Sequence, residues 1–204
     1  MNDTKGKIVF GLRQWVELLL GAAALAVSAI SLWVAIGTEQ ANRQMVAASS
    51  WPLLLVDTAD VPENGRGLIT FSLINGGVGP AKLKTMELWW RGRPYTGALS
   101  LLRDCCGYKP LSPDARVGAA ARDAVITGGV HNVVIRAGEK HDFLRMPLTA
   151  DNATAWSKLD RVRHELKFRG CYCSVFDECW IGSLMDLEPK KVDSCPVPKV
   201  LYVE

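Results

Sequence analysis

Along most of the chain hydrophobic and polar positions alternate at short range, but from residue 18 to 37 the alternation disappears and every position is apolar or small: LLLGAAALAVSAISLWVAIG. At a rise of about 1.5 Å per residue, roughly 20 such residues cross a hydrocarbon core of about 30 Å. A buried core helix rarely stays apolar on every face for five turns, and the apolar region of a signal peptide usually runs about 7 to 15 residues. The run therefore predicts an uncleaved transmembrane helix, taken as residues 15–37, with Trp15 and Trp33 near the two interfaces. Residues 38–51 are rich in helix formers and predict a helical stalk that stops at Trp51-Pro52, because proline disfavours the α conformation in the residue before it.

Beyond the stalk, residues 52–204 form one exported domain. Residues 53–56 read as a first strand. In residues 68–75, Ile69, Phe71 and Leu73 alternate with Thr70, Ser72 and Ile74. After the turn-dense Asn75-Gly76-Gly77-Val78-Gly79-Pro80, residues 83–90 resume the alternation, with Met86, Leu88 and Trp90 on one side. Arg91-Gly92-Arg93-Pro94 predicts a turn, residues 98–106 a short amphipathic helix, and residues 107–129 a long insertion. Residues 130–135 and 142–146 predict two strands joined by a hairpin turn or loop at 136–139, and Asn152 caps a helix on which Trp156, Leu159 and Val162 recur.

Residues 164–174 give the clearest alternation. Leu166, Phe168 and Tyr172 share one face, while Glu165, Lys167, Arg169, Cys171 and Cys173 share the other, so the cysteines face a covering segment unless a bulge at Gly170 switches the register. Short strands, Gly/Pro turns and brief helices predict a mainly β protein: one N-terminal transmembrane helix followed by a β-sandwich, immunoglobulin-like by analogy, with short helical insertions.

Charge sets the orientation. Lys5, Lys7 and Arg13 precede the span and only Arg43 follows it before Arg66, so the amino terminus is expected in the cytoplasm and residues 52–204 beyond the membrane, in a bacterium the periplasm. The six cysteines, Cys105, Cys106, Cys171, Cys173, Cys179 and Cys195, all follow the anchor, as disulfides in an oxidising compartment would. Six cysteines allow 15 pairings. A Cys173–Cys179 bridge across the last hairpin comes first, with Cys171 reaching Cys195 and with Cys105 or Cys106 as competing partners. A four-thiolate metal site at Cys171, Cys173, Cys179 and Cys195 is the alternative, against which stands the lack of paired two-residue spacings. No metal or other cofactor is expected.

A single amino-terminal span, the Ser50-Trp51-Pro52 junction, the stretch from Asn75 to Ala81 and the Cys171-Tyr172-Cys173-Ser174-Val175-Phe176-Asp177-Glu178-Cys179-Trp180 hairpin together resemble single-span, inner-membrane-anchored proteins of Gram-negative bacteria. That resemblance implies an inner-membrane location and brings no assigned activity, hence no functional residue.

The chemistry-bearing motifs are sparse. The glycine cluster lacks the Lys-Ser/Thr of a phosphate-binding loop, and His131, His141 and His164 stand outside catalytic motifs. His141-Asp142 could orient an imidazole only if a serine or cysteine approached, and Asp177-Glu178 belong to a turn. A net charge of +3 over 204 residues gives no footprint for nucleic acid. What remains is a binding or accessory module acting by protein contact in or near the inner membrane, with the bilayer as its other partner. Adjacent Trp89 and Trp90 must face opposite sides of their strand, so one of them is a candidate partner surface unless the 98–129 insertion covers it. Gly21, Ala22, Ala26 and Ser28 permit close helix packing in the membrane. The rival is a periplasmic thiol-dependent redox or metal-binding enzyme using Cys105-Cys106 or Cys171 and Cys173.

Overall fold

The computed structural model describes residues 3–110 and 125–203, with side chains from residue 15 onward. The chain divides into two compact units, residues 1–48 and 49–204.

The first unit is one uninterrupted helix, α1 (Asp3–Ser49, 47 residues). It contains a 35-residue stretch, Trp15–Ser49, long and apolar enough to cross a membrane, and the large apolar side chains along it, such as Leu18, Leu25, Ile30 and Trp33, are exposed within the chain. No break separates the apolar run from the polar residues 38–49, which supply good helix formers and an Arg43–Glu39 ion pair one turn apart.

The second unit is built on two antiparallel sheets. One holds β1 (Leu54–Asp60), β2 (Leu68–Asn75), β7 (Lys140–Pro147) and β5 (Ile126–Thr127), in the order β1-β2-β7-β5. The other has six strands, β10 (Lys190–Val192), β9 (Cys179–Ser183), β8 (Lys167–Cys173), β3 (Ala81–Trp90) and β4 (Arg93–Tyr95) in that order, with β6 (Val133–Ile135) also on β3. Helices α2 (Ala98–Cys106) and α3 (Ala153–Val162) pack on one another. With α1 included the protein is mixed α and β, so the mainly β expectation is corrected: one helix of 47 residues outweighs the brevity of the other two.

Alternation explains where the core lies. Ile69, Phe71 and Leu73 of β2 are buried, as are Leu83, Met86 and Leu88 of β3 and Phe168 and Tyr172 of β8. Phe71 and Phe143 from the four-stranded sheet meet Phe168 from the six-stranded one with ring centroids 6.0 to 6.2 Å apart, and Tyr202 joins them edge-on against Phe143 at 5.9 Å. Tyr202 arrives from the C-terminal tail, whose backbone donates to Met86 O (2.8 Å) and Thr96 O (3.1 Å) through Tyr202 N and Val203 N.

Three local expectations change. Residues 130–135 and 142–146 are not hairpin partners: β6 pairs with β3 and β7 with β2, so the 136–139 turn carries the chain from one sheet to the other, with Gly138 at φ 72°. Arg93–Tyr95 is a strand rather than the end of a turn, since Arg91 and Gly92, both at positive φ, make the reversal alone. Asn152 stands at the start of α3 without capping it; its side chain accepts from Thr149 N (2.9 Å) and donates to Pro147 O (2.8 Å), fixing the turn before the helix.

The glycine cluster has a packing role. A Cβ on Gly77 would lie 2.4 Å from Trp51 O, and one on Gly79 2.2 Å from Ser50 O, so only glycine lets the loop cross the backbone of residues 50–53. Buried Asn75 ties the crossing together. Its Oδ1 accepts from Leu53 N and Gly77 N, and its Nδ2 donates to Gly79 O and Ile135 O, which uses the whole amide.

Candidate functional site

Strand β8 carries the cysteines of the second half. Its pairing with β9 is regular from Arg169↔Ser183 to Cys173↔Cys179, and the register shift lies on β3, between Leu83 and Thr85, not at Gly170. Cys171 and Cys173 therefore leave the sheet on its outer side and are nevertheless buried, because the 193–198 tail lies over them through a disulfide. Cys173 is bonded to Cys179, its direct cross-strand neighbour, with a Cα separation of 4.0 Å, and Cys171 to Cys195 at 5.6 Å. The two bridges touch: Cys173 Sγ lies 3.8 Å from Cys195 Sγ, and the sulfurs of Cys173, Cys179 and Cys195 fall within 4.8 Å of one another. Three sulfurs at that spacing could hold a soft metal ion only as thiolates, and both bridges must first be reduced for that.

The turn between β8 and β9 is held by charge. Lys82 of β3 pairs with Asp177, which sits at φ 60°, and Lys191 of β10 reaches Glu178 at 2.6 Å. The Lys82 hydrogen bond and charge, with Lys84 beyond, hold the Asp177 carboxyl below its ordinary value.

Cys105 and Cys106 bond to each other rather than to the other four, with a Cα separation of 3.7 Å at the last turn of α2. Helix α2 ends there because Gly107 takes the left-handed conformation (φ 70°, ψ 25°); its N–H donates to Arg103 O and Tyr108 N donates to Leu102 O, each at 3.1 Å. Cys106 is buried and Cys105 half-buried. Cys106 also forms part of the wall of a cleft of about 450 Å³ between the α2 end and the start of α3, with Tyr108, Lys109, Asn152 and Lys158 around it. Beside the helix, Arg93 pairs with Asp104 at 2.7 Å and lies over the Tyr95 ring. Burial first, then the Asp104 charge, pushes the Tyr95 hydroxyl above its ordinary value.

The two tryptophans point to opposite sides of β3. Trp90 packs against the core, its Nε1 donating to Glu165 Oε2 at 3.0 Å. Trp89 is on the outer side, where it lines an open groove of about 720 Å³ with Phe168, Met185, Lys167 and Arg169. Among the described residues, nothing from the 98–129 segment lines that groove.

The remaining candidates do not converge. His141 Nε2 lies 3.0 Å from Gly129 O, whereas its neighbour Asp142 accepts from Ser72 Oγ at 2.7 Å, so imidazole and carboxylate serve different partners. His131 contacts Asn132 at 2.9 Å. In α1, Ser28 Oγ donates to Ala24 O one turn back at 2.8 Å, and a Cβ on Gly21 would meet nothing, which leaves the small-residue face of Gly21, Ala22 and Ala26 open.

Adjacent cysteines were visible in the sequence as possible partners for distant ones; their mutual bond was not, because it depends on the α2 end holding both sulfurs on one side. The Trp89 groove had only the signal of two neighbouring tryptophans. No protein-family model, curated protein or solved structure matches the chain.

Proposed function

We propose that the chain is a single-span membrane protein whose domain beyond the membrane is an immunoglobulin-like binding module, acting by contact with a protein partner through the Trp89 groove. The strand orders β1-β2-β7-β5 and β9-β8-β3-β4 follow the A-B-E-D and G-F-C-C′ layout of such domains, which supports the fold assignment. An N-terminus in the cytoplasm and a periplasmic domain, anchored in the inner membrane of a Gram-negative bacterium, agree with the charge flanking the span and with three disulfides.

The observation that carries the reading is the position of Trp89. A half-buried tryptophan turned away from the core, beside exposed Met185, leaves part of its ring for a partner side chain to bury. Around it Arg91 is paired with Glu165 at 3.3 Å, and Lys167 and Arg169 stand against Glu87, so the fitting partner segment presents an apolar side chain beside a carboxylate.

A photo-crosslinking residue placed at Met185 in the full chain, expressed in native membranes, tests this. A discrete adduct is expected, and Trp89→Ala should weaken it by about 2 kcal/mol of binding, roughly 30-fold. No adduct, or one indifferent to Trp89, would contradict the reading. Protease added to spheroplasts should digest the domain and spare an amino-terminal tag; the reverse pattern would invert the topology.

A further inference from the structure

A disulfide stabilises a fold by closing a loop between segments that would otherwise separate in the unfolded chain. Cys105 and Cys106 are neighbours, so their bond closes no such loop and joins no two elements. The other four cysteines form the two bridges that do, Cys171–Cys195 with a sequence separation of 24 and Cys173–Cys179 with 6. The vicinal bond can also be reached from solvent: Cys105 is half-buried, as Cys195 is, and it lies at the exposed end of α2 next to exposed Arg103, Asp104 and Gly107, whereas Cys171, Cys173 and Cys179 are buried. Cys106, 2% exposed, forms part of the wall of the 450 Å³ cleft that also has Lys109 and Lys158 on its lining. A sulfur released there as thiolate would have two ammonium groups in the same cleft, with Asp151 as the opposing charge.

We propose that Cys105–Cys106 is a thiol–disulfide exchange centre that takes two electrons from a protein dithiol of the Cys-x-x-Cys type. The donor's thiolate attacks Cys105 Sγ along the exposed side; the Cys105–Cys106 bond breaks, a donor–Cys105 mixed disulfide forms, and Cys106 leaves as thiolate and takes up a proton. The donor's second thiolate then attacks its own sulfur in the mixed disulfide, releasing Cys105, which is protonated in turn. The chain ends as a dithiol and the donor as a disulfide, with two electrons and two protons transferred. The two bridges of the β8–β9 end take no part.

Two measurements on the detergent-extracted full chain test the proposal. In a dithiothreitol titration followed by maleimide alkylation and peptide mapping, Cys105 and Cys106 should become labelled at about tenfold lower reductant than any other cysteine, while the domain stays folded. Labelling of the pair only together with or after Cys171, Cys173, Cys179 and Cys195 would overturn it. In the second, the oxidised chain is mixed with a Cys-x-x-Cys oxidoreductase whose resolving cysteine is replaced by serine, which stops exchange at the mixed disulfide. An adduct on Cys105 is expected; no adduct, or an adduct on Cys106 or any of the other four, would overturn it.

Discussion

Cys171–Cys195 and Cys173–Cys179 bind a hairpin and a tail that touch only because the fold brings them together, and both lie on one sheet face under a covering segment. Cys105–Cys106 lies at a helix terminus and joins two residues already bonded through the backbone. In the chain-entropy picture the first two bridges restrict the unfolded ensemble by about 3.5 and about 2.4 kcal/mol, whereas the vicinal one restricts it by about 1 kcal/mol at most. The same covalent bond thus supplies stability in one region and almost none in the other, and where it supplies none its chemistry is the more informative property.

The comparison breaks most easily at its strong end. Cys171→Ala with Cys195→Ala should lower unfolding free energy by about 3 kcal/mol in urea titration, releasing the tail from β8; a loss below about 1 kcal/mol would put the two regions on the same footing. Cys173→Ala with Cys179→Ala should cost about 2 kcal/mol, less because the bridge closes a loop with a sequence separation of only 6. Cys105→Ala with Cys106→Ala should stay within about 1 kcal/mol of the native chain, and a larger loss would make the vicinal bond a structural one.

How much of this contrast could be read from the sequence depended on local period. Residues 68–75 and 98–106 show alternation and amphipathic spacing over enough positions that β2 and α2 appear with the same bounds in the structure. Cys171 and Cys173 could be set on the outer face of β8 because Phe168 and Tyr172 fix its inner one. Strands β4, β5 and β10 have two or three residues, too few to show a period, and each is a strand only because it pairs with a longer one, β4 with β3, β5 with β7 and β10 with β9. Tyr202 joins the core through a tail without periodic pattern, held by hydrogen bonds to Met86 and Thr96. Asn75 looked like one more turn former among glycines; its four hydrogen bonds reach residues 53, 77, 79 and 135, and only the folded chain assembles them.

The smallest effect sharpens the same contrast through pH. Because the Asp177 carboxyl is held below its ordinary value by Lys82, its contribution is present above the normal carboxylate range and is lost as pH falls through the folded value. Thermal unfolding between about pH 2 and 6 should therefore show part of the acid dependence disappear in Asp177→Asn, and that part should shrink with added salt, as for an exposed pair. An unchanged acid profile would remove Asp177 from the forces holding the β8–β9 turn.

Disulfide mapping of the chain, extracted from cells in detergent under alkylating conditions without reductant, decides most directly whether the two cysteine regions differ in this way. Three bonds are expected, Cys105–Cys106, Cys171–Cys195 and Cys173–Cys179, with any alkylation confined to the Cys105–Cys106 pair. Six alkylated thiols, stoichiometric zinc, or a bond from Cys105 or Cys106 to any of the other four would contradict it.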